Sequence, residues 1–341
     1  MKRIIYLAII ACLFISCENE IPFDVKENQP KLILNALLNA DKEENEIILA
    51  FTGRNETSPV EDASVDIYIN GVHKEHLLTP DELSSGGYWI SGSLKTHLRF
   101  LPDDTIKIEA RTNDGKHYAW AEVVVPHPVA IEKVDTSLFE TTSWRGTTGT
   151  HLRTKTTFTD DIKQANYYRI IMEGYLEFEA KEFGDFDYKI LNETFATPPI
   201  ISEDVVLTDG RPSVEEEQGI LTPVENYFCV FDDSRINGTY TMTTSLFIPY
   251  YHLDYYSGYG HGMGKVYDVK RIGISVKVKL LSLSKDYYLY LKAANITNSD
   301  TYIEYFNLPV KLPSNVNGGT GIVGVSVGSE ITIPLEDYVP R

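Results

Sequence analysis

Cysteine is scarce, with three copies in 341 residues. Cys12 lies inside a leading segment that reads as a signal and Cys17 lies at its end, so only Cys229 remains for the expected mature fold. No intramolecular disulfide can then staple the chain, and core burial has to stabilise it. Basic residues are short as well: 31 lysines and arginines face 49 acids, for a formal charge of −18. Loss of Lys2 and Arg3 with the leader lowers this by two, to −20. Such a field repels phosphate backbones and anionic headgroups, so nucleic acid is not an expected partner. Long apolar runs are missing apart from Ile4–Ile15. That run is too short for a helix across a bilayer core, which needs about 20 residues, and a polytopic membrane protein is excluded. There is no internal repeat and no low-complexity tract.

The N-terminus is positive at Lys2-Arg3, apolar to Ile15, and then reads Ser16-Cys17. This is the layout of a secretory signal. Leu13-Phe14-Ile15-Ser16-Cys17 resembles a bacterial lipobox, in which Cys17 becomes the acylated (palmitate-type) first residue. Residues 1–16 are therefore expected to be a lipoprotein signal peptide and 17–30 a tether. Glu18-Asn19-Glu20 after the cysteine resembles an acidic surface-export signal. The expected location is the outer membrane, held by lipid only and exposed at the cell surface.

Tyrosine, at 22 copies, is abundant and favours strands and amphipathic contact surfaces. Period-two alternation dominates the chain. Val65, Ile67 and Ile69 share one strand face before Asn70-Gly71, and Ile106, Ile108 and Ala110 share another before Asn113-Asp114-Gly115. A return strand from His117 to Val125 ends at Pro126-His127-Pro128, where neither proline can donate to a ladder. The pattern predicts an all-β chain: an immunoglobulin-like β-sandwich at 31–127 and a second β-rich domain at 128–341 with one short helix. In the second part Tyr167–Ala180 reads as a long strand, and Ile274, Val276, Val278 and Leu280 alternate with polar residues. Ser284 and Asp286 mark a helix start that runs to about Ile296.

Catalytic motifs fail on context. Gly319-Thr320-Gly321-Ile322-Val323-Gly324 matches a dinucleotide fingerprint in letters, but a strand pattern follows it instead of a helix. Gly324-Val325-Ser326-Val327-Gly328 matches a nucleophile elbow, yet no histidine follows Ser326. Asp160-Asp161 and Asp232-Asp233 adjoin apolar strands and read as turn chemistry. Cys229 reads as a small buried hydrophobe. No cofactor, metal site or catalytic residue is expected, and the scattered histidines at 73, 76, 97, 117, 127 and 151 are assigned nothing.

The tyrosine- and glycine-rich segment Pro249–Gly264 is the most unusual part of the chain. It reads as a loop whose rings either stack on a sugar or clamp a peptide, or else pack on their own domain. The candidate ligand-binding residues are Tyr250, Tyr251, Tyr255, Tyr256, Tyr259 and the flanked Trp144. His252, Asp254 and His261 are weighed as metal ligands against solvated loop residues, and the solvated reading is favoured.

Several blocks carry a family resemblance. They are Cys17 with its acidic tether, Lys31-Leu32-Ile33-Leu34-Asn35-Ala36-Leu37, Pro59-Val60-Glu61-Asp62-Ala63-Ser64-Val65, Phe231-Asp232-Asp233 leading to Gly238-Thr239-Tyr240, Leu283–Leu291, and Pro313-Ser314-Asn315-Val316-Asn317-Gly318-Gly319-Thr320-Gly321-Ile322-Val323-Gly324. The chain resembles the bacterial envelope lipoproteins grouped as domain of unknown function 4249. The resemblance implies a Bacteroidota-type outer-membrane lipoprotein working beside a TonB-dependent transporter, and it supplies no catalytic residues.

The expected function is a non-enzymatic ligand-binding or accessory subunit of such a transporter, with an oligosaccharide or peptide as ligand. One alternative is an adhesion or envelope-assembly module that binds a protein through a strand edge. Another is a hydrolase using scattered acids with His252 or His261.

Overall fold

Alternation of apolar and polar residues turns most of this chain into strands. The computed structural model describes residues 29–53, 57–60, 62–79, 93–142, 148–182, 189–195, 201, 203–210, 226–248, 255–259, 266–297 and 311–335. The first part holds β1 (Leu32–Asn39), β2 (Asn45–Phe51), β3 (Ser58–Pro59), β4 (Ala63–Ile69), β5 (Val72–Leu78), β6 (Ser93–Thr96), β7 (Thr105–Thr112) and β8 (Tyr118–Val124). After the double proline come β9 (Ile131–Thr142), β10 (Thr148–Thr159), β11 (Tyr167–Glu182), β12 (Lys189–Phe195), β13 (Val230–Asp232), β14 (Thr239–Phe247), β15 (Tyr255–Tyr259) and β16 (Val266–Leu283). Helix α1 (Lys285–Thr297) and β17 (Thr320–Pro334) complete the described elements, and the fold is all-β with one helix among them.

Local chemistry explains the turns. Asn70 and Gly71 both take positive φ, 52° and 77°, as a two-residue hairpin joining β4 to β5 requires. At the next hairpin the Gly115 N–H donates to the Thr112 carbonyl.

Three sheets form. The largest has ten strands, with the path β12-β11-β16-β17-β1-β2-β3 and with β13 on β11, β15 on β16 and β6 on β2. The others are β14-β10-β9 and β5-β4-β7-β8. The first core lies between the four-stranded sheet and the β1-β2 side of the large one, and it includes Leu34, Leu49, Val65, Ile67, Ile108 and Ala121. The second packs β14-β10-β9 against β11 and β16 through Leu152, Phe158, Tyr168, Ile170, Met242 and Val278. A third, small cluster seats α1 by Tyr287, Tyr288 and Leu291 on Val230 and Leu283.

The double proline lies between the two main cores. From Lys31 onward the chain is one compact unit. Strand β17 runs parallel to β1 from Thr320 to Ser326 and antiparallel to β16 from Ser326 to Pro334. Its Val323 and Val325 fill the first core, while Ile331 and Ile333 pack on the second. The 31–127 segment is thus completed by a strand from the far end of the sequence.

Candidate functional site

Where β8 leaves the first core, the chain, the 164–167 turn and the start of α1 enclose a cleft of about 400 Å³. Each wall is fixed locally. Asp103 sits at φ 71°, its N–H donates to the Val125 carbonyl, and Val125 N–H donates back to Asp104. His127 Nε2 lies 2.9 and 3.0 Å from the two carboxylate oxygens of Asp103, which ties the proline-flanked linker to the wall.

The second wall is the turn before β11. Asn166 Nδ2 donates to Asp160 Oδ1 and to the carbonyls of Asp161 and Gln164. Its backbone N–H donates to Asp233 Oδ2 at 2.7 Å. Tyr167 stacks on Tyr288 of α1, with centroids 4.9 Å apart and planes at 27°.

The third wall is the strand-to-helix corner. Ser284 was expected to cap α1 with its hydroxyl. Its carbonyl does accept the Tyr288 N–H, but the hydroxyl accepts the Val325 N–H and so pins the corner to β17. Asp286 Oδ2 accepts from Asn315 Nδ2. Ser282 is buried on the cleft lining, and its hydroxyl has no hydrogen-bond partner among the described residues.

Asp103, Glu122 and Asp286 confront one lysine, Lys285, and His127 along this lining. Hydrogen-bond acceptors of negative charge predominate, and they suit ligands that bring hydroxyl or amine donors. Among the described residues neither serine is bonded to a histidine or a carboxylate.

The sequence-derived candidates fall in different places. Cys17, Trp144, Tyr250 and Tyr251 lie outside the described residues, as do His252, Asp254 and His261. Tyr255, Tyr256 and Tyr259 were expected in a loop, but their backbone forms β15 and pairs with Val266–Lys270 of β16. Tyrosine's preference for extended backbone overrides the single glycine in that stretch.

The acid pairs act as expected. Asp161 accepts the Lys163 N–H within its turn, and Asp232 caps a short 3-10 turn through Ser234. Cys229 is buried, and burial pushes its thiol up to about 12. In the glycine string, a Cβ at Gly321 (φ 120°) would collide with the Leu34 carbonyl across the parallel pairing with β1. A Cβ at Gly324 would stand 2.7 Å from Tyr287 Cβ. These glycines serve close packing of strand and helix.

The cleft residues were not singled out in the sequence apart from Asp286 and Ser284, and those were read as helix caps. The one usable signal was His127 between two prolines, which fixes a side chain at the junction. No helix among the described residues is long and apolar enough to cross a membrane.

The family model for a domain of unknown function (DUF4249) matches residues 18–332. The chain belongs to this family. None of the curated proteins compared matches it. The match covers both cores and β17 down to Thr332.

Proposed function

We propose that the protein is a non-enzymatic binding lipoprotein of the outer membrane, anchored through Cys17 and exposed at the cell surface, which holds a hydroxyl- or amine-bearing ligand for a TonB-dependent nutrient transporter. The observation that carries this is the acceptor-rich cleft walled by Asp103, Glu122, Asn166 and Asp286. An oligosaccharide or a short peptide presents the matching donors.

The test is calorimetry of the Cys17→Ala chain against pools of neutral oligosaccharides and of peptides. Glu122→Gln and Gln164→Ala are expected to weaken binding by about 1 kcal/mol or more each, the scale of a lost hydrogen bond to a charged or polar partner. Affinity unchanged in the double variant removes the cleft from the proposal.

A second reading rests on β15. Among the described residues it pairs with β16 alone, which leaves one backbone edge without a strand partner. An extended segment of a partner protein would add there as a further strand. Ser257→Pro is expected to abolish that docking without touching the cleft, and co-purification from membranes measures it.

A further inference from the structure

Strand β16 ends its buried row on a polar residue. Ile274, Val276, Val278 and Leu280 share one face and fill the second core, each at most 5% exposed. Ser282 follows on the same face at 4%, where the alternation would continue with another apolar side chain. It pairs with Tyr168 of β11 and Val327 of β17, so the ladder holds its backbone on both sides. Its hydroxyl is shielded from solvent and has no hydrogen-bond partner among the described residues. The Tyr168 hydroxyl across the ladder is already given to Asp160, and Ser284 two residues on is held by the Val325 N–H. Buried hydroxyls are nearly always partnered, because one left alone has lost its water and gained nothing in return. An alanine here would spare the free chain that loss.

We propose that Ser282 is the specificity-determining floor contact of the cleft and that it takes a hydroxyl group of a neutral sugar. This rests on the binding role proposed above for the cleft, and it decides between the two ligand classes named there. Ser282 lies on the lining of the cleft, whose volume of about 400 Å³ is that of a small-ligand pocket. Serine has a single side-chain torsion with three staggered positions, so its oxygen can turn to a ligand while the paired strand stays in place.

The surroundings select the group that is bound. A hydroxyl donates one hydrogen bond and accepts two, so it matches another hydroxyl in either direction. An ammonium would bring a charge, and a buried charge is costly without a paired carboxylate. Among the described residues no carboxylate is bonded to Ser282, and the nearby Asp286 accepts from Asn315 instead. A ligand carboxylate would face the acids of the same lining, Asp103, Glu122 and Asp286. A short peptide carries both of these charges at its ends. A neutral oligosaccharide carries neither and presents many hydroxyls.

Calorimetry of the full mature chain uses two probes: a pool of neutral di- to hexasaccharides of glucose, galactose and mannose, and a pool of di- to tetrapeptides. The saccharides are expected to bind, and Ser282→Ala is expected to weaken them by about 10-fold, which is about 1.4 kcal/mol and the size of one lost hydrogen bond. Ser282→Thr keeps a hydroxyl and is expected to lose less. Without ligand, the unfolding midpoint of Ser282→Ala is expected at or above that of the wild type. A midpoint lower by about 3 °C or more would give the hydroxyl a structural partner and overturn the proposal. Saccharide affinity that Ser282→Ala leaves unchanged while Glu122→Gln lowers it overturns the floor contact and leaves the cleft as the binding site. Binding of the peptides alone overturns the sugar assignment in the same way. A chain that binds neither pool overturns both this proposal and the binding role of the cleft.

Discussion

The Tyr168 hydroxyl donates to Asp160 Oδ1 at 2.5 Å, inside a core where the tyrosine has no solvent exposure. Burial first, and then the hydrogen bond and charge of Asp160, hold the phenol pKa far above its ordinary value, so the hydroxyl stays a donor. Tyr168→Phe leaves the buried carboxylate with Asn166 as its remaining side-chain donor. The expected loss is about 1 to 3 kcal/mol, read from urea unfolding, and Asp160→Asn, which keeps an acceptor, is expected to lose less.

The neighbouring acid pair sets a pH dependence. Burial pushes the Asp232 pKa up, but bonds from Ser234 and from the Tyr288 hydroxyl leave it net lowered. A carboxyl with a depressed folded pKa contributes stability that is fully present above its unfolded value, about 3.9, and is lost as pH falls through the folded one. Asp233 is shifted the other way, by burial and then by the charges of Asp160 and Asp232. Its protonation therefore opposes the acid loss. Unfolding measured between pH 6 and pH 3 is expected to be flatter in Asp232→Asn and steeper in Asp233→Asn.

Helix α1 depends on a residue without a side chain. Gly324→Ala places a methyl 2.7 Å from Tyr287 Cβ, on the interface between β17 and the helix. Overpacking of this kind costs about 1 to 3 kcal/mol. Thermal unfolding is expected to show the loss.

The anchor is tested in cells. Labelling with a radioactive acyl donor is expected to mark the wild-type chain and not Cys17→Ala, which is expected to leave the membrane fraction. A chain that stays full-length and unlabelled would remove the lipoprotein reading.

The tyrosine segment has a separate test. Combined replacement of Tyr255, Tyr256 and Tyr259 by alanine is expected to weaken ligand or transporter binding by about 1 kcal/mol or more per key ring. Unchanged affinity would confine recognition to the cleft.

Much of the fold was legible because local pattern and tertiary burial agree. Val65, Ile67, Ile106 and Ile108 alternate in the sequence and are fully buried in the structure. The helix after Ser284 was legible from the start signal at Ser284 and Asp286, and it buries Tyr287, Tyr288 and Leu291. What no local pattern carries is the pairing of Ile33 with Thr320, because the partners are nearly the whole chain apart and a parallel ladder leaves no turn signature between them. The cleft was hidden because it is assembled from three segments far apart in sequence, each with an ordinary structural role.

The parallel seating of β17 beside β1 also constrains the order in which this protein can be made. A ribosome delivers Leu32 first and Val323 near the end, so the opening hydrophobic nucleus waits, with one flank uncovered, for almost all of synthesis. Until the closing segment arrives, the nascent chain lacks the strand that joins its two cores.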